Sequence, residues 1–108
     1  MPNTSPFIAM QELEIHLKGL LRPIDVEMLG DVSRKAVTSL KRVVVDARLD
    51  IRDYELSETR EEQLKNAKEA KNRIAKMESD ILAAGDVFSA VDTAHISAKL
   101  EQINSWLG

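Results

Sequence analysis

The chain has 108 residues, of which 44% are apolar, 31% charged and 4% aromatic, with no cysteine and a formal net charge of −3. That length fits a single domain over residues 1–108, and the apolar content is too high for a disordered chain. The lack of cysteine excludes disulfides, thiolate metal sites and a cysteine nucleophile, and a reducing, cytoplasmic setting is expected.

The aromatic residues are Phe7, Tyr54, Phe88 and Trp106. The core must therefore be aliphatic, which leans helical, because strands favour aromatic and β-branched side chains. The opening residues Met1–Ser5 lack a basic stretch followed by an apolar run, so no signal peptide is expected. The longest run of Val, Ile or Leu is Val43–Val45, and no segment approaches a membrane span. Residues 1–54 hold eight basic and eight acidic residues, and residues 55–108 hold seven and ten. Neither half is a strongly basic nucleic-acid module or an acidic tail.

Thr4-Ser5-Pro6 reads as a helix start, with a hydroxyl cap and a proline in the first turn. Met10, Leu13, Leu17 and Leu20 then recur at three and four residues along one face. Arg22-Pro23 ends this helix, because the residue before proline is pushed out of the α region. Asp25 is placed to cap the next helix, in which Val26, Leu29, Ser33, Val37, Leu40, Val44, Ala47, Ile51 and Tyr54 keep helical spacing. Gly30 weakens its start and leaves Asp31 or Ser33 as the alternative first turn.

Within this helix, Val43–Arg52 also alternates like a strand. As a helix it sets Asp46 over Asp50 and Arg48 over Arg52, both mildly repulsive. No second strand and no hairpin turn is present to pair with it, so the helix is the expected state. Leu56–Thr59 is a break. Thr59-Arg60-Glu61-Glu62 matches a capping box. Leu64, Ala67, Ala70, Ile74, Met77 and Ile81 continue helically to a cap at Gly85. A last helix starts at Asp86 or Ser89 and carries Ile96, Leu100, Ile103 and Leu107 at heptad spacing.

The expected fold is all-α. Two long central helices, about 25–56 and 59–84, form an elongated helical hairpin or four-helix-bundle-like unit with shorter helices capping its ends. The central helices would be about 48 and 39 Å long at 1.5 Å per residue. Two short helices would leave part of their apolar stripes bare, and pairing into a homodimer is the simplest way to cover them.

Little points to chemistry. The serines lie in no G-x-S-x-G elbow, the glycines are dispersed, and the paired carboxylates look solvated. Enzymatic activity, a cofactor and a small-molecule substrate are not expected. Glu12 with His16, and Asp92 with His95, each share a helix face, so a two-His, two-carboxylate metal site would need the first and last helices to meet. The di-iron bundle pattern is incomplete, and no metal is expected.

The favoured function is a non-catalytic helical interaction or adaptor module that associates with itself or another protein. Its docking residues would be Val37, Leu40, Val44, Ala47, Ile51, Ile96, Leu100, Ile103 and Trp106, with tryptophan a frequent interface anchor. The alternative is a small nucleic-acid-associated regulator. Arg34, Lys35, Lys41 and Arg42 fall in Val32–Val45, which is free of acids, and Arg34, Lys41 and Arg48 repeat every seven residues as a basic stripe. Asp46, Asp50 and Asp53 follow closely, and no aromatic side chain interleaves for base stacking.

Overall fold

A computed structural model describes residues 5–108. The Thr4 part of the expected cap, and the leader-free reading of residues 1–4, lie outside the described residues. The fold is all-α and bundle-like, with four α-helices and no strand among the described residues.

Helix α1 spans Pro6–Leu21. The Ser5 hydroxyl accepts from the Ile8 N–H at 3.2 Å, and Pro6 occupies the first turn, where its missing N–H costs nothing. The helix ends at Leu21, but Arg22 keeps α-helical angles (φ −54°, ψ −45°), so the expected exclusion of the pre-proline residue from the α region does not hold; Pro23, which has no N–H to donate, is what cannot continue the helix.

Helix α2 spans Asp31–Leu56, so it does not begin at Asp25. The Asp25 carboxylate accepts from the Glu27 N–H at 3.1 Å and caps only a short 3-10 turn, Val26–Met28. Leu29 and Gly30 then take extended backbone angles, which separates that turn from the helix. From Asp31 onward α2 is continuous through Val43–Arg52. The strand-like alternation loses because neighbouring helices resolve the like-charge stacking. Arg73 holds both Asp46, at 3.8 Å, and Asp50, at 3.1 Å.

Helix α3 spans Arg60–Ala84. Thr59 Oγ1 accepts from the Glu62 N–H at 3.1 Å, as the capping-box pattern predicts. The connecting turn is pinned by Ser57, which donates to the Asp53 carbonyl at 2.7 Å and accepts from Asn66 at 3.0 Å. Gly85 ends α3 with φ of 60°, a left-handed angle that side chains disfavour. A second 3-10 turn, Gly85–Val87, leads to Ser89, whose hydroxyl accepts from the Asp92 N–H at 3.0 Å and caps α4, Ala90–Trp106.

Helices α2 and α3 form the expected antiparallel hairpin. The shorter helices do not merely cap its ends. They lie lengthwise over it as a second layer, with α1 against α2, α4 against α3, and α1 against α4. The reason is the length of the stripes rather than of the helices. The buried stripe of α2 runs only from Ala36 to Ile51, about 23 Å, which the roughly 24 Å of α1 matches. On α3 it runs from Ala67 to Ala84, which α4 matches in the same way. The unit measures 46 × 29 × 18 Å with a radius of gyration of 14.2 Å. That is only slightly longer than the roughly 13 Å of a compact chain this size.

The core is aliphatic. Met10, Leu17, Val37, Leu40, Val44, Ile51, Ile74, Met77, Ile96, Leu100 and Ile103 are fully enclosed. Each such side chain contributes about 1.5–3 kcal/mol by leaving water.

Candidate functional site

The residues expected to dock a partner are largely interior. Val37, Leu40, Val44, Ala47, Ile51, Ile96, Leu100 and Ile103 all lie in the core. A partner could reach them only if the bundle opened, so in this fold they are packing residues and not a docking surface. The stripe expected to be left bare, and to drive dimer formation, is covered from within the chain. Trp106 differs: it is 37% exposed at the end of α4, where its carbonyl accepts from the Tyr54 hydroxyl at 3.5 Å.

The basic residues divide. Arg48 is not part of an open stripe. Its side chain is 27% exposed, and its enclosed Nε stands 2.7 Å from Glu14 Oε1 as an ion pair. The other four reach the surface. Lys35, Lys41 and Arg42 are exposed, and Arg34 is partly so. Arg34 pairs with Asp31 in the first turn of α2. None of Lys35, Lys41 or Arg42 meets a carboxylate among the described residues.

Three further cations join them through the tertiary fold. On the α1 side, Lys18, Arg22 and Lys41 rim a recess of about 350 Å³ floored by Leu21 and Ile24. On the α3 side, Lys35 and Lys76 border a shallow groove with Ser39, Ser79 and Ala83. Between them, Arg34, Lys35, Thr38, Ser39 and Arg42 line a third depression on α2 itself. Seven cations thus lie across the outer face of the first half of α2, three of them, Lys18, Arg34 and Lys76, in ion pairs with Glu14, Asp31 and Asp80.

Two buried acids support this face, and the sequence reading did not single them out. Glu14 is buried on α1 and receives Lys18 at 2.9 Å as well as Arg48. Asp80 is 3% exposed on α3; it accepts from Ser39 Oγ at 2.6 Å and Lys76 Nζ at 2.9 Å. A signal existed for both. Glu14 falls four residues after Met10 and three before Leu17, and Asp80 three after Met77 and four before Ala84. Each is a carboxylate written into an apolar face, which requires a partner.

Asp50 lies on the opposite half of α2. Burial pushes its carboxyl above the ordinary aspartate range; the hydrogen bond and charge of Arg73 oppose this, while Glu69 and Asp46 add to it. Desolvation is the largest of these effects.

Helices α1 and α4 do meet at the histidines. His16 and His95 stack edge to face with ring centroids 5.2 Å apart. Glu12, Leu13 and Lys99 share their recess of about 290 Å³, whereas Asp92 does not line it. His16 Nε2 is enclosed without a hydrogen-bond partner. Among the described residues no group of three or more His, Asp or Glu side chains is gathered to hold a metal ion.

Among the described residues no helix is long and apolar enough to cross a membrane. The fold and its surface define an all-α helical bundle with one cationic flank. Searches with this chain found no matching protein-family model, no matching curated protein and no matching solved structure.

Proposed function

We propose that this chain is a non-catalytic helical interaction module whose working surface is the cationic outer face of α2. One observation supports the reading above others. Arg22, Lys35, Lys41 and Arg42 are exposed, unpaired among the described residues, and gathered on one side of a chain whose net charge is −3. Arg60, Lys65, Lys68 and Lys99 are also exposed and outside any ion pair among the described residues, but they stand among the acids of α3 and α4, whereas Val32–Val45 carries no acid, so the outer face of α2 is locally positive. Such a surface attracts an anionic partner and orients it before contact. The cytoplasm suits a chain without cysteine.

Retention on an immobilised sulfated polysaccharide tests this directly. The wild-type protein is expected to bind at low salt and elute as salt rises, while Lys35→Glu/Arg42→Glu passes through. Equal behaviour of the two proteins would remove the reading.

A second copy of the chain is the alternative partner. Leu56 and Leu64 are 70% and 55% exposed, and Ile8 and Trp106 are also open, all at the end of the bundle that holds the α2–α3 turn. If this end pairs, light scattering gives a dimer mass that Leu56→Glu/Leu64→Glu returns to a monomer. A monomer mass for the wild-type protein at high concentration excludes it.

A further inference from the structure

The cations of α2 fall into two rows. Arg34 and Lys41 are seven residues apart, as are Lys35 and Arg42, so each row repeats after two turns, about 10.5 Å along the axis. The rows are turned about 100° from one another. The α1-side row continues through Lys41 to Lys18 and Arg22. The α3-side row continues through Lys35 to Lys76. Exposed Thr38 lies between them.

A rigid helix with a line of cations along each edge matches a partner that has two walls of negative charge. The two strands flanking a nucleic-acid groove are such walls. Two rows turned about 100° on a helix roughly 10–12 Å across stand about 8–9 Å apart, and the flanking Lys18, Arg22 and Lys76 widen that spread toward the roughly 12 Å width of a B-form major groove. An extended acidic peptide offers one line of charge and would engage only one row. A single strand is disfavoured for a different reason: it gains affinity by stacking bases on aromatic rings. Here Phe88 is buried, while Tyr54 and Trp106 sit together at the far end of α2.

We propose that the outer face of α2 binds the phosphate backbone of double-stranded DNA, with cations meeting both strands and no reading of base sequence. This rests on the reading of that face as an anion-binding surface. The excess of acids elsewhere on the chain turns the remaining surface away from the polyanion and holds affinity to the modest range of non-specific binding.

The test is fluorescence anisotropy with three labelled probes: a short duplex, a single strand of the same length and polyglutamate of matched charge. Duplex binding is expected to be tightest and to weaken about 150- to 500-fold between roughly 50 and 200 mM salt, as contacts to four or five phosphates predict. Lys41→Glu/Arg42→Glu should weaken it at least about tenfold, with circular dichroism confirming an intact fold. Lys65→Glu/Lys68→Glu changes the net charge equally on the exposed side of α3 and should stay within about twofold of wild type. Equal loss in both double variants would show that the face is not the site and overturn the proposal. Polyglutamate or single strand bound as tightly as duplex would overturn the duplex assignment and leave the anion-binding face standing. No binding to any probe at low salt would overturn both.

Discussion

Arg48 Nε stands 2.7 Å from Glu14 Oε1, joining the middle of α2 to the buried side of α1. The two partners are not equivalent. Arg48 can still reach water, whereas Glu14 cannot, so their removal has unequal consequences. Arg48→Met should cost about 1–3 kcal/mol, because it leaves a buried carboxylate with Lys18 alone. Glu14→Leu should be close to neutral, since it extends the apolar face while both cations turn to solvent. Urea unfolding of the two variants checks the asymmetry, and equal destabilisation would contradict it.

The docking residues inferred from helical spacing are core residues, so Ile51 and Trp106 should behave differently. Ile51→Ala is expected to lower stability by about 2–5 kcal/mol, the range for opening a cavity in an aliphatic core. Trp106→Ala, at a half-open helix end, should cost clearly less. Thermal melts of the two variants decide it; an Ile51→Ala melt within error of wild type would mean that the stripe is not packed as described.

Gly85 is the one internal residue with positive φ among those described. A Cβ there meets no neighbouring atom, so the effect of substitution is purely conformational. Gly85→Ala and Gly85→Asn should each destabilise by about 1 kcal/mol or more, because ψ of −124° puts Gly85 outside the αL region that Asn tolerates. Denaturant midpoints give the comparison, and an alanine variant as stable as the parent would refute the assigned angle.

Asp50 yields a pH prediction whose sign runs against the usual aspartate. Its folded-state carboxyl is raised by burial, so between the ordinary value and the raised one the folded protein binds more protons than the unfolded chain. Its contribution to stability is therefore fully present in acid and is lost as pH rises through that window. Relative to Asp50→Asn, which cannot ionise, the wild-type protein should lose ground from the ordinary aspartate pKa upward. Unfolding free energies of both proteins across that window provide the measurement. A wild-type protein that gains on the variant as pH rises would reverse the sign.

Much of the fold was legible because local chemistry controls where helices begin and end. Ser5, Thr59 and Ser89 each bond the N–H three residues on, as their side chains and positions imply. Gly85 stops α3 for an equally local reason. Asp25 misled because a carboxylate that caps one turn looks the same in sequence as one that caps a helix; the extended Leu29 and Gly30 distinguish them. The cationic site was half legible. Arg34, Lys35, Lys41 and Arg42 stand out by spacing, but Lys18, Arg22 and Lys76 join them only because α1 and α3 flank α2.

By itself the sequence determined the helical class, the division into four helices and the residues that share each helix face. Periodicity and capping are properties of neighbours along the chain, so they can be read without knowing what packs where. The tertiary structure alone decided what each face meets. It turned the long apolar stripes inward against α1 and α4, and drew Arg48 to a buried carboxylate. Lys35, Lys41 and Arg42 it left on one flank, free of ion pairs among the described residues. Those outcomes depend on distances between residues far apart in sequence, such as Glu14 and Arg48 or Ser39 and Asp80, and spacing along one helix carries no record of them.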